Sequence, residues 1–271
     1  MVELYRFSSF RKSCPGLVSL VLVLVFFCFS GKLAVASEEV SSQIVGKYLE
    51  TVADRLYNTK EIEGNLELAL EYYKMAMNQR PGTPGIEWKI ARCYWVLAEK
   101  ATDEQELQLY YKEGTRYGKL AVKNDTSNSN AHLWNSLIVG SSAMRQGVVK
   151  TLYNREVIKS GLLKALELDP ENTNAYVGLA GWYFHVPAIF GGDKSQAFQL
   201  LDKAIKLEPN YTAAWLVKAE FLIREKEFEQ AVQTLNKLLS IENPVIRGDG
   251  VEDKKKAANL LATLKSSQLN G

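Results

Sequence analysis

From about residue 44 to residue 265, apolar residues recur at steps of three and four and are broken by short polar turns. That spacing gathers side chains on one face of an α-helix, so it predicts a succession of amphipathic helices. No run of alternating β-branched residues closes on Asn-Gly or Asp-Gly, and no β-hairpin is predicted. Only 7 prolines in 271 residues leave room for long uninterrupted helices. Three helices end alike: Tyr73 to Met77 before Pro81, Leu163 to Asp169 before Pro170, and Asp202 to Glu208 before Pro209. Each places a small residue five positions ahead of the proline, which points to an internal repeat.

The repeat resembles the tetratricopeptide-repeat (TPR) family. Its unit of roughly 34 residues is a helical hairpin with small residues at the crossing, an aromatic late in the first helix and a proline after the second. The clearest unit has Tyr176, Leu179, Ala180 and Tyr183, then Ala197, Leu201, Ala204 and Pro209. The next has Trp215, Ala219 and Leu222, then Ala231 and Leu235. Fainter units carry Ala69, Tyr73, Ala76 and Pro81; Ile90, Ala91, Tyr94, Gly114 and Ala121; and Trp134, Leu137, Leu162, Ala165 and Pro170. A lone hairpin cannot bury its apolar stripe, whereas stacked hairpins bury one another's. The predicted fold is therefore all-α: a TPR-like helical-hairpin superhelix of about five cryptic repeats. Units two, three and four carry 11, 8 and 5 extra residues, expected between their helices. The expected organisation is a signal segment over 1–36, a linker over 37–46, the repeats over 47–244, and a C-terminal capping helix and tail over 245–271. Leu260, Leu261 and Leu264 would form the buried stripe of that cap.

Phe184 to Lys194 is longer and more apolar than an ordinary turn between paired helices. Pro187 should end the first helix, Gly191-Gly192 should turn the chain, and Asp193 should cap the next helix with Gln196 three residues on. Pro187-x-x-x-Gly191-Gly192-Asp193, followed by Ala197, Leu200 and Lys203-Ala204, is also similar to the T-component of tripartite ATP-independent periplasmic (TRAP) transporters. That resemblance implies a periplasmic, oligomeric TPR protein associated with a solute-binding partner. No bacterial lipobox precedes Cys28, where bulky Phe26 and Phe27 stand, which departs from most of that group.

The N-terminus reads as an export signal. Arg6, Arg11 and Lys12 precede an uncharged run from Leu17 to Phe29, and Ala34-Val35-Ala36 offers a cleavage site after Ala36. The run is short for a bilayer span of roughly 20 residues, with an uncleaved membrane anchor as the alternative. Residues 1–36 carry a net +3, so the whole chain's +2 leaves the remainder at −1. No basic surface for nucleic acid is implied. Cys93 is the one cysteine beyond residue 36 and is expected as a buried core thiol.

Chemistry-bearing motifs are scarce. Gly114-Thr115-Arg116-Tyr117-Gly118-Lys119-Leu120 falls one residue short of a phosphate loop and lacks its Ser or Thr, so its glycines read as a helix crossing. His132 and His185 stand alone, and no metal-ligand or acyl-transfer motif occurs; no enzyme and no cofactor are predicted. What remains is the inner wall that the TPR resemblance assigns to the first helix of each unit. On this chain its positions are Trp88, Arg92, Trp95, Asn135, Val139, Val177, Phe184, Leu216, Glu220 and Arg224. Trp88 and Trp95 are equally open to burial under the insertion at 99–113. The expected function is an exported, periplasmic scaffold that binds a protein partner or an apolar small ligand in this groove. The alternative is an accessory subunit of a solute-uptake system, with a homo-oligomer expected beside it, and an enzyme with no recognisable motif stands third.

Overall fold

The computed structural model describes the backbone of residues 31–269 and the side chains of residues 40–266. Eleven α-helices and no strand occur among the described residues. The expected signal, apart from residues 31–36, lies outside them. Five antiparallel hairpins follow in order: α1 (Gly31–Asn58) with α2 (Asn65–Gln79), α3 (Glu87–Lys100) with α4 (Glu104–Asn124), α5 (Ser129–Arg145) with α6 (Val148–Leu168), α7 (Thr173–His185) with α8 (Lys194–Leu207), and α9 (Thr212–Arg224) with α10 (Phe228–Leu239). A last helix, α11 (Arg247–Leu269), packs on α9 and α10. Residues 37–46, expected as a linker, are part of α1, which also runs across the expected boundary at residue 36.

Small residues set how closely the helices approach. Ala69, Ala76, Ala91, Ala165, Ala180, Ala197, Ala204, Ala219 and Ala231 are all fully buried. A Cβ on Gly114 would stand 2.8 Å from Ile138 Cδ1, and one on Gly118 would stand 3.0 Å from Asn135 Cα. These glycines are therefore the crossing of α4 with α3 and α5. Cys93 is buried, and burial pushes its thiol up to about 12, which leaves it unreactive at neutral pH.

Extra residues in units two and three do not form loops. They lengthen the second helices, so that α4 and α6 reach 21 residues against 15 in α2, 14 in α8 and 12 in α10. In unit four the extra residues do form a loop. Val186 ends α7, a 3-10 turn spans Ala188–Phe190, Gly191 takes φ +94°, and Asp193 accepts the Gln196 backbone N–H at 3.0 Å. At the C-terminus, Leu261 and Leu264 are buried with Leu216, Leu222, Leu235 and Leu238, while Leu260 is half-buried.

Candidate functional site

The expected groove residues divide into three neighbourhoods. Trp88 and Arg92 lie with the first hairpin. The Arg92 guanidinium sits 3.6 Å over the Tyr57 ring and donates to the Tyr73 hydroxyl at 3.3 Å, while its Nε is buried without a partner. Lys89 beside it bridges Glu50 at 2.9 Å and Asp54 at 2.7 Å. Burial pushes the Glu50 carboxyl up, but Lys89 and Arg80 hold it below the ordinary value. Trp95 donates to Ser141 Oγ at 2.9 Å and meets Trp134 edge-on, packed beside Leu107 and Tyr111 of the lengthened α4.

In the later hairpins, two expected wall residues are interior. Phe184 stacks on Phe221 with ring centroids 3.7 Å apart, and Leu216 joins the α9–α11 core; they are 8% and 5% exposed. Neither faces an open groove. Val177 is half-buried between the Ala180 and Tyr176 clusters. Glu220 is half-buried, and burial raises its carboxyl above the ordinary value. Arg224 is exposed with Nη1 3.3 Å from His185 Nδ1.

The start of α11 also reaches the first hairpin. Asp249 pairs with Lys60, whose side chain is 1% exposed. Arg247 N donates to Asn58 Oδ1 at 3.1 Å, Arg247 Nε lies 3.2 Å from Glu61, and Glu252 pairs with Lys100 of α3. Asp253 accepts from the buried Thr212 hydroxyl at 2.7 Å. The end of the stack is thus tied to its beginning, and Tyr57, buried under the Arg92 guanidinium, lies in that first hairpin.

The third neighbourhood is open. Asn135 and Val139 of α5 line a cleft of about 330 Å³ walled by Thr115 and Lys119 of α4 and by Asn154 and Val157 of α6. Walls made of second helices put this cleft on the outer side of the stack rather than on the wall of first helices. Asn135 Oδ1 is closed against Gly118 with no hydrogen-bond donor. Beside the cleft, α6 exposes Val149, Tyr153 and Val157 at 82%, 81% and 56%. Reading the extra residues of unit three as a connection hid these three, although their four-residue spacing was visible. Thr115 and Lys119 were missed because they fall in the stretch set aside as a failed phosphate loop. The cleft offers van der Waals surface, amide and hydroxyl groups and one lysine, which suits binding rather than bond-making. No group of three or more His, Cys, Asp or Glu is placed to hold a metal among the described residues. Nor is any of their helices long and apolar enough to cross a membrane.

Comparison with known proteins agrees with this architecture. Residues 192–245 match the tetratricopeptide repeat family. A thermophilic TPR protein of Thermus thermophilus superposes with a TM-score of 0.62 at 16% identity, over 80% of this chain and 99% of its own. Among sequences, regulator of microtubule dynamics protein 3 of Rattus norvegicus is 26% identical over 50% of this chain. Regulator of microtubule dynamics protein 1 of Mus musculus is 25% identical over 67%. The aligned region spans 29% of the first relative and 70% of the second. These relatives are not transporter T-components, and the resemblance expected from Pro187 to Ala204 is not among what they show. Residues 49–189, just over half of the chain and including the whole outer cleft, match the family of regulator of microtubule dynamics proteins 1-3, and the chain belongs to that family.

Proposed function

We propose that the chain is a non-catalytic helical-repeat scaffold that holds a protein partner in the outer cleft over α5. The observation that carries this reading is the cleft itself, apolar ridge and polar floor together, lying inside the stretch that matches the family. Soluble domains seldom leave adjacent large apolar side chains this exposed unless something covers them. The occupant best suited is an amphipathic helix, whose apolar row fits between α4 and α6. The relatives' name directs the search for partners to microtubule dynamics.

Affinity capture of the full chain from its own cells tests this, alongside co-sedimentation with polymerised tubulin. Val157→Asp places a carboxylate at a position 56% exposed, so the fold should survive while recovery of the partner falls at least tenfold. Equal recovery by wild type and Val157→Asp would refute the cleft as the docking site. A solute-uptake accessory would instead bind a small apolar ligand in native mass spectrometry of the purified chain. For location, the alternative to a microtubule partner is that residues 1–36 direct export with cleavage after Ala36; N-terminal sequencing of the chain from its host should then begin at Ser37, and the partner would be an exported protein rather than tubulin.

A further inference from the structure

Two helices of the stack present apolar ridges that stay exposed among the described residues. One is the α6 ridge of Val149, Tyr153 and Val157. The other is on α1, where Val40, Ile44 and Tyr48 are 58%, 59% and 68% exposed. Both rows run i, i+4, i+8. Such rows project as ridges along a helix, and two of them interdigitate at a crossing near −50°. The α1 row stands clear for a structural reason. α1 has 28 residues against 15 in α2, and Gly46 meets Arg80 just past the end of α2, so Val40 and Ile44 run beyond the cover of their own hairpin, while Tyr48 continues the row one turn on.

Charge favours the same pairing. Glu38 and Glu39 precede the α1 ridge in sequence. Lys119 in the cleft wall and Lys150 in the first turn of α6 are exposed cations on this side. An acidic amphipathic segment is the chemistry this cleft fits, and residues 37–46 of α1 in another copy carry Glu38 and Glu39 with no cation before Lys47.

We propose that α1 of one copy docks against the α6 ridge and outer cleft of a second copy, which rests on the reading of the cleft as a docking site. The contact is head-to-tail, so every copy carries one plug and one socket, and copies join into a ring or an open chain.

Two full-length copies bearing different tags, co-expressed and captured through one tag, test the pairing. Wild-type copies should co-purify. Recovery should fall at least tenfold when both copies carry Ile44→Asp, and equally when both carry Tyr153→Asp. An Ile44→Asp copy paired with a Tyr153→Asp copy should recover to a wild-type level of one-to-one capture, because one intact plug and one intact socket remain. Both positions are exposed, so melting curves should be unchanged; if either variant unfolds, Ile44→Ser and Tyr153→Ser repeat the experiment. Absence of wild-type pairing, pairing that survives both substitutions, or failure of the mixed pair to recover would each overturn the proposal. So would loss of binding to phosphatidylserine vesicles on Tyr153→Asp in copies that never pair, which would make the ridge a membrane contact. If copies never pair but Val157→Asp still loses a different partner, this inference falls and the cleft reading stands. If neither pairing nor partner responds to any cleft substitution, both fall.

Discussion

At the scale of single residues, the polar contacts that matter most join positions far apart in the chain. Lys60 is almost wholly enclosed and depends on Asp249 for its charge partner. Replacing it by Met leaves a carboxylate that is only 26% exposed without its cation. Loss of one member of a buried pair costs up to about 3–5 kcal/mol, and the partial exposure of Asp249 should bring this to about 2 kcal/mol. The urea midpoint of Lys60→Met should fall accordingly, and adding Asp249→Asn should recover part of the loss. Asp253 makes a prediction in pH. Burial lifts its carboxyl from 3.8 to about 6, against the lowering effect of the Thr212 hydroxyl; Asp249 raises it further, and Lys256 and Lys60 oppose. A carboxyl that binds its proton more tightly when folded stabilises the protein at low pH, and that contribution is lost as pH rises from about 4 to about 6. Asp253→Asn should therefore flatten this stretch of the stability–pH curve and be the more stable chain above pH 6, by about 2 kcal/mol. Identical curves for the two would remove Asp253 from the account. Local features such as the Asp193 cap and the Cys93 thiol were legible in the sequence because each depends on a few neighbouring residues. Lys60 and Asp249 were not, since nothing local marks residues 189 positions apart as partners.

At the scale of elements, helix spacing and the alanines at crossings were readable because a hairpin must bring a small residue to each close approach. Gly114 is the sharpest case, with Tyr94 Cβ and Ile138 on either side of any added Cβ. Gly114→Val should overpack the crossing of α4 with α3 and α5 and lower stability by about 2 kcal/mol in urea unfolding, despite leaving the helix a residue of better propensity. A neutral result would mean that α4 can slide away from its neighbours. Less legible was where extra residues go. Counting against a repeat template shows that residues have been added but not whether they extend a helix or bulge into a turn. In α4 and α6 they extended the helix, and the α6 extension created the exposed ridge. Phe184 and Leu216 sit on first helices as the template requires, yet their side chains point into the packing between successive hairpins. The rotation of each hairpin against the next decides that, and one sequence does not state it.

Across the whole molecule, α11 does two things that the sequence suggested only by half. Its C-terminal part buries Ala257, Leu261 and Leu264 against the last hairpin, which is the work of a cap. Its N-terminal turns tie that hairpin to the end of α1, the turn after it and α3 through Arg247, Asp249 and Glu252, so the inner wall is partly closed by the chain itself. Removing residues 245–271 should cost about 5 kcal/mol, judged from roughly 1.5–3 kcal/mol for each large apolar side chain uncovered. The truncated chain should bind a hydrophobic dye and melt about 10–20 °C lower. Unchanged melting would show that the stack ends at α10. The inner wall is occupied at its first hairpin, whereas the outer side carries the exposed apolar ridge of α6. A photo-crosslinking phenylalanine analogue at Val157 of the full chain, activated in its own cells, tests that most directly. The account predicts adducts to a protein segment from position 157 and none from the exposed control position Glu229, whereas no protein adduct at 157, or equal adducts from both positions, would contradict it.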